Sequence, residues 1–134
     1  MERTNIRFVT ADMFGIMPEL AVIDVSFISL ALVLPVVRGL LCEDGEVLCL
    51  IKPQFEAGRG KVGKKGVVRD PETHKAVLEA FIHNAGKSEF YLRGLTFSPV
   101  RGPEGNIEYL GWLSGRRGDI DIDINEIVTQ SHGI

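Results

Sequence analysis

The stretch VLCLIKPQFEAGRGKVGKKGVVRDP, residues 47–71, decides how this chain is read. It opens as an apolar, strand-like run, passes through a basic glycine-rich loop, and ends on a helix start. Gly58, Gly63 and Lys64 have the spacing of a phosphate-binding P-loop. A P-loop also needs Ser or Thr after its lysine, and a helix beginning there that aims its amides at the phosphates. Here Lys65 follows Lys64, and no helix signal appears before Asp70. The loop is basic, but it is not a P-loop. Asp70-Pro71-Glu72 supplies an N-cap, a proline at the first helical position and an acid in the first turn. These residues predict a helix to about Ala85, stopped at Gly86. Val77, Ala80, Phe81 and Ala85 face inward, and His74 and His83 outward.

On either side of this stretch the elements alternate. LAVIDV (20–25) reads as a buried strand, and SLALVLPVVRGLL (29–41) as a helix capped by Ser29. Pro35 implies a kink in that helix, or a start near it. Beyond the helix from Asp70, EFYLRGLTFSP (89–99) and NIEYLGWLSG (106–115) read as strands joined by VRGPEG. A short helix from Asp123 closes the chain, with Ile124, Ile127 and Val128 inward. This order is that of an α/β domain with parallel strands and an antiparallel addition at one end.

Composition narrows the function classes. The 134 residues amount to one domain or part of one, and 45% hydrophobic content argues against disorder. No run approaches the roughly 18 apolar residues of a membrane span, and there is no basic amphipathic helix. The start, MERTNIRFV, lacks the apolar region of a secretory signal. Cys42 and Cys49 have neither metal nor redox spacing and read as buried free thiols of a cytoplasmic protein. Asp119, Asp121 and Asp123 alternate like a calcium loop, but Ile124 and Gln130 stand where glycine and glutamate are required. No metal site is expected. Net charge is −3, yet Lys52, Arg59, Lys61, Lys64, Lys65 and Arg69 crowd one segment against Glu56 alone. Either a local anion site or a solvated loop fits that pattern.

A set of charges emerges from the topology. Asp24 and Lys52 fall at the carboxyl ends of two strands joined by one helix, which makes a right-handed βαβ unit. Neighbouring strands lie about 4.8 Å apart, so the two side chains open on the crevice where open α/β sheets bind ligands. Glu108 begins a strand that, if antiparallel, starts at the same edge. The trio is either a salt-bridge cluster or the core of a site. Phe27 reads as a core residue or as a platform for a base at the rim, and Phe55 as a lining residue.

DVSFISL (24–30), IKPQFEAGRGKVGKKGVVRDP (51–71) and SPVRGPEGNIEYLGWL (98–113) resemble the TlyA family, also labelled hemolysin A. That family belongs to the FtsJ-like, S-adenosylmethionine-dependent RNA ribose methyltransferases. The resemblance runs from about Thr4 to Leu113. It implies a Rossmann-like class I methyltransferase sheet of strand order 3-2-1-4-5-7-6, with the last strand antiparallel. It also implies methyl transfer to a ribose 2′-hydroxyl of ribosomal RNA. Three members of the family's Lys-Asp-Lys-Glu set fall on Asp24, Lys52 and Glu108. Lys52 is then the candidate base, with Asp24 and Glu108 orienting the lysine and the hydroxyl. Asp12 matches the acidic position that contacts adenine in such folds, and Asp24 is a second candidate cofactor contact. Arg59, Lys61, Lys64 and Lys65 are candidate RNA contacts. The family's first lysine and glycine-rich cofactor loop have no counterpart in residues 1–134. The expectation is a C-terminal portion of the domain with the first two strands missing, able to self-associate through the exposed strand 20–25. The alternative is a non-catalytic RNA-binding module built on the same fold.

Overall fold

A computed structural model describes residues 18–58, 60, 62–63 and 66–133. Asp12, Arg59, Lys61, Lys64 and Lys65, candidates on sequence grounds, lie outside the described residues. The elements run β1 (Leu20–Ile23), α1 (Leu30–Leu40), β2 (Glu46–Ile51), α2 (Pro53–Glu56), α3 (Pro71–Lys87), β3 (Tyr91–Phe97), β4 (Tyr109–Ser114) and α4 (Ile124–His132).

One four-stranded sheet has the order β1-β2-β4-β3. β1 and β2 are parallel, and β4 is antiparallel to both β2 and β3. This order matches the 4-5-7-6 part of the sheet that the resemblance implies. β4 is thus inserted between β2 and β3 rather than added at one end, which corrects the reading from alternation alone. The crossover through α3 sets β3 one position away from β2, and the returning chain fills the slot.

Several local expectations give way to tertiary context. Pro35 lies inside α1, which runs unbroken from the Ser29 cap, where Ser29 Oγ accepts from Ala31 N–H. Pro35 is exposed, so solvent can reach the carbonyl that its missing N–H leaves unpaired. α3 continues through Gly86 to Lys87. The left-handed turn after it falls on Glu89, at φ 64°, while the Phe90 N–H closes onto Ala85 O at 2.9 Å. Ala80 is exposed, and His74 is fully buried rather than outward. The one-turn α2 carried no signal in the sequence beyond Pro53 at its start.

All the long helices pack on one face of the sheet. Val33, Leu34, Val47, Ile51, Leu78, Tyr109, Leu113 and Val128 are sealed between helices and strands. Gly111 makes that approach possible, because a Cβ there would stand 2.6 Å from Phe81 Cζ. Cys49 faces the same core, where burial and the nearby Glu56 charge push its thiol up to about 12. Neither cysteine is in a disulfide. The opposite face is bare among the described residues: Val22, Leu48, Leu110 and Trp112 are exposed there, around a groove of about 550 Å³. No helix among the described residues is long and apolar enough to cross a membrane.

A histidine pair fastens α4 to α3. His74 Nε2 lies 3.1 Å from Val68 O, so that nitrogen carries the proton and Nδ1 accepts from His132 Nε2 at 2.8 Å. Burial, then the neighbouring His132, holds His74 below the ordinary imidazole range, opposed by the Val68 carbonyl and by Asp70. Burial and Arg101 lower His132, opposed by Asp70. The unfolded chain therefore takes up these protons first as the pH falls through about 6.5. Stability contributed by the neutral pair is complete above that pH and is lost below it. The urea midpoint is expected to fall between pH 7.5 and 5.5, and His74→Gln is expected to shrink that fall. An equal fall in the variant would show that the pair does not set it.

Candidate active site

The strand registers bring the charged residues to one edge. Ile23 pairs with Cys49 along β1 and β2, and Ile51 pairs with Tyr109 along β2 and β4. One step further out stand Asp24, Lys52 and Glu108, at the carboxyl ends of the parallel strands and the beginning of β4. Lys52 Nζ forms an ion pair with Asp24 Oδ1, the lysine side chain being 13% exposed and the aspartate 60%. Ser26 Oγ lies 3.4 Å from the same Nζ. Glu108 is buried and takes a different partner: Gln54 Nε2 donates to its Oε2 at 2.9 Å. Among the described residues no ion pair joins Glu108 to Lys52. The trio thus shares an edge as a lysine–aspartate pair beside a separately held carboxylate.

The KPQFE segment organises this edge residue by residue. Lys52 meets Asp24, and Pro53 turns the chain into α2. Gln54 holds Glu108, and the Phe55 ring lies 4.8 Å from that of Phe27. Glu56 reaches back to the start of α1, accepting from Ser29 Oγ at 2.8 Å and from Leu30 N–H at 2.6 Å. Burial raises the Glu56 carboxyl above its ordinary range, and those two donors oppose the shift. Five consecutive residues therefore tie the end of β2 to β1, α1 and β4. The sequence marked Lys52 and Phe55 here; the roles of Gln54 and Glu56 depend on partners remote along the chain.

Two further residues shape the rim. Phe27 is 89% exposed, which corrects its reading as a core residue. Its backbone sits at φ 66°, in the left-handed region that a bulky side chain occupies at a cost. Asn106, buried, takes the Val68 N–H on Oδ1 at 3.0 Å and donates from Nδ2 to Gly66 O and Pro103 O. It clamps the far end of the basic loop to the turn that precedes Glu108. An asparagine after Gly105 was the one signal in the sequence, and it resembles any turn residue.

The chemistry open to this edge is proton transfer and the orientation of a hydroxyl, with an aromatic surface beside it. No group of histidine, cysteine or carboxylate side chains among the described residues can hold a metal ion. Of the candidate cofactor contacts, Asp24 opens on the crevice, while the glycine-rich loop at 58–66 follows β2 rather than the first strand of such a sheet.

Comparison with known proteins agrees with this architecture. A family model described as FtsJ-like methyltransferase matches residues 1–114. The chain is 55% identical over 139 residues to YqxC of Bacillus subtilis, whose name proposes an rRNA methyltransferase; the match covers 98% of this chain and 50% of that protein. It is 43% identical over 113 residues to the 16S/23S rRNA (cytidine-2′-O)-methyltransferase TlyA of Mycobacterium tuberculosis, covering 84% of this chain and 42% of that protein. A solved structure from Streptococcus thermophilus, titled as a proposed hemolysin, superposes with a TM-score of 0.93 at 42% identity. That superposition covers 99% of this chain and 50% of the other. The chain spans about half the length of the curated relatives it matches.

Proposed function

We propose that this chain, which belongs to the FtsJ-like methyltransferase family, forms the C-terminal portion of a domain that methylates a ribose 2′-hydroxyl of ribosomal RNA. The observation that carries the reading is the Lys52–Asp24 pair set beside Glu108 at the carboxyl edge of the sheet. A ribose hydroxyl is a poor nucleophile until its proton is being removed. When bound, S-adenosylmethionine supplies a methyl group already activated on a sulfonium. The chain's own residues then have to place the hydroxyl in line and take its proton. Lys52 Nζ, deprotonated before the step, takes the proton and becomes an ammonium, Asp24 holds that nitrogen over the crevice, and Glu108 orients the hydroxyl from β4. Asp12 and Asp24 are the proposed cofactor contacts, and Arg59, Lys61, Lys64 and Lys65 the proposed phosphate contacts.

Isothermal titration with S-adenosylmethionine, paired with RNA binding measured over a range of salt, tests the reading. Cofactor binding, with methyl transfer to ribosomal RNA, supports the enzyme. Salt-sensitive RNA affinity without cofactor binding supports the non-catalytic module instead.

The exposed Phe27 ring, buttressed by Phe55, is the proposed stacking surface for a base. Phe27→Ala is expected to weaken RNA binding by about 1–3 kcal/mol, with the salt dependence unchanged. Fluorescence anisotropy would read this, and an unaltered affinity would remove Phe27 from the interface.

Self-association through β1 belongs to the same proposal. Among the described residues β1 is paired on one side only, and Leu20 and Val22 are 53% and 75% exposed. Light scattering is expected to show an oligomer, which Val22→Lys shifts toward monomer. A monomer at all concentrations would end this part of the proposal.

A further inference from the structure

We propose that Gln54 is the positioning residue of Glu108 and that its side-chain carbonyl receives the 2′-hydroxyl of a nucleotide beside the one methylated; the inference rests on the ribose methylation reading. Glu108 is 7% exposed and held from two sides. Gln54 Nε2 donates to Oε2 at 2.9 Å, and Gly102 packs so closely that a Cβ there would overlap the carboxylate.

The other half of the same amide is unsatisfied. Gln54 Oε1 is buried and, among the described residues, is the sole buried side-chain polar atom without a hydrogen-bond partner. Rotating the amide does not relieve it, because the oxygen would then confront Glu108 Oε2, acceptor against acceptor. Leaving a buried carbonyl unpaired is destabilising. A methionine would fill the space without that cost and without holding Glu108. An acceptor left unpaired two residues beyond Lys52 therefore suits a donor that arrives with the substrate. It is uncharged and stands beside a carboxylate at the edge where the RNA has to lie. A 2′-hydroxyl donates one hydrogen bond and is the group that separates RNA from DNA.

Gln54 and Gln130 are the chain's only glutamines, which makes the test direct. Gln130 lies on α4, paired at 3.2 Å with Glu126 in an exposed position, and serves as an internal reference. With glutamine labelled by carbon-13 and nitrogen-15, the chain is titrated with a single-stranded ribosomal RNA oligomer and with its all-2′-deoxy equivalent. The RNA is expected to move the Gln54 side-chain carbonyl and amide resonances saturably, leaving Gln130 still, while the deoxy oligomer binds without moving Gln54. Glu108→Gln is expected to move the Gln54 amide signal in the free protein. Gln54→Met is expected to reduce the preference for RNA over the deoxy oligomer by up to roughly tenfold, and Gln54→Asn to restore part of it. RNA binding with Gln54 unmoved, or equal shifts with both oligomers, overturns this inference alone. No binding of either oligomer overturns it together with the ribose methylation reading.

Discussion

Lys52→Met is expected to slow methyl transfer to ribosomal RNA by about 10²- to 10⁴-fold while the unfolding midpoint barely moves. The rate effect follows from position. Lys52 Nζ is the nitrogen held at the crevice by Asp24, and methionine keeps the length and apolar stem of the side chain while removing its proton chemistry. The stability effect is small because the partner carboxylate is 60% exposed, and such a pair contributes at most about 1 kcal/mol. Single-turnover transfer of a labelled methyl group, with the protein at its full encoded length, separates the two quantities. A rate within a few-fold of wild type would remove Lys52 from proton transfer. A large fall in the unfolding midpoint would instead make the lysine a structural residue.

Gly102→Ala is expected to cost about a hundredfold in the same assay, although residue 102 carries no side chain. A Cβ at this position would occupy the place of the Glu108 carboxylate, which is also tied to Gln54. The methyl group and the carboxylate cannot both keep their positions. Gly102 is itself held by its neighbours, its N–H donating to Asn106 O at 2.7 Å, so the glutamate gives way. A displacement of about 1 Å in an orienting group suffices for an effect of that size. RNA affinity is expected to stay near wild type, because the proposed phosphate contacts Arg59, Lys61, Lys64 and Lys65 belong to a different segment of the chain. A variant with unchanged single-turnover rate would show that the position of Glu108 does not matter to the step.

The two substitutions separate what was readable in the chain from what was not. Asp24, Lys52 and Glu108 could be placed on one edge because strand ends follow from apolar runs, and parallel connectivity follows from a single intervening helix. Gln54 could not, since its meaning depends on Glu108, a partner 54 positions away. Phe27 was left between core and rim because hydrophobicity predicts burial on average, and a left-handed backbone that lifts a ring into solvent leaves no mark on residue type. His74 was misjudged for the reverse reason: a polar residue enters the core where Val68 O and His132 satisfy both ring nitrogens.

The sequence by itself determined the class of fold, the helix starts at Ser29, Asp70 and Asp123, and the edge on which the charges fall. Those depend on local rules: periodic apolar residues, caps, and the handedness of a crossover. Tertiary structure alone decided that Lys52 pairs with Asp24 while Glu108 turns to Gln54, and that among the described residues one face of the sheet is left bare. Partner choice at close quarters depends on which donors and acceptors packing brings within about 3 Å, and spacing along a chain carries no record of that distance.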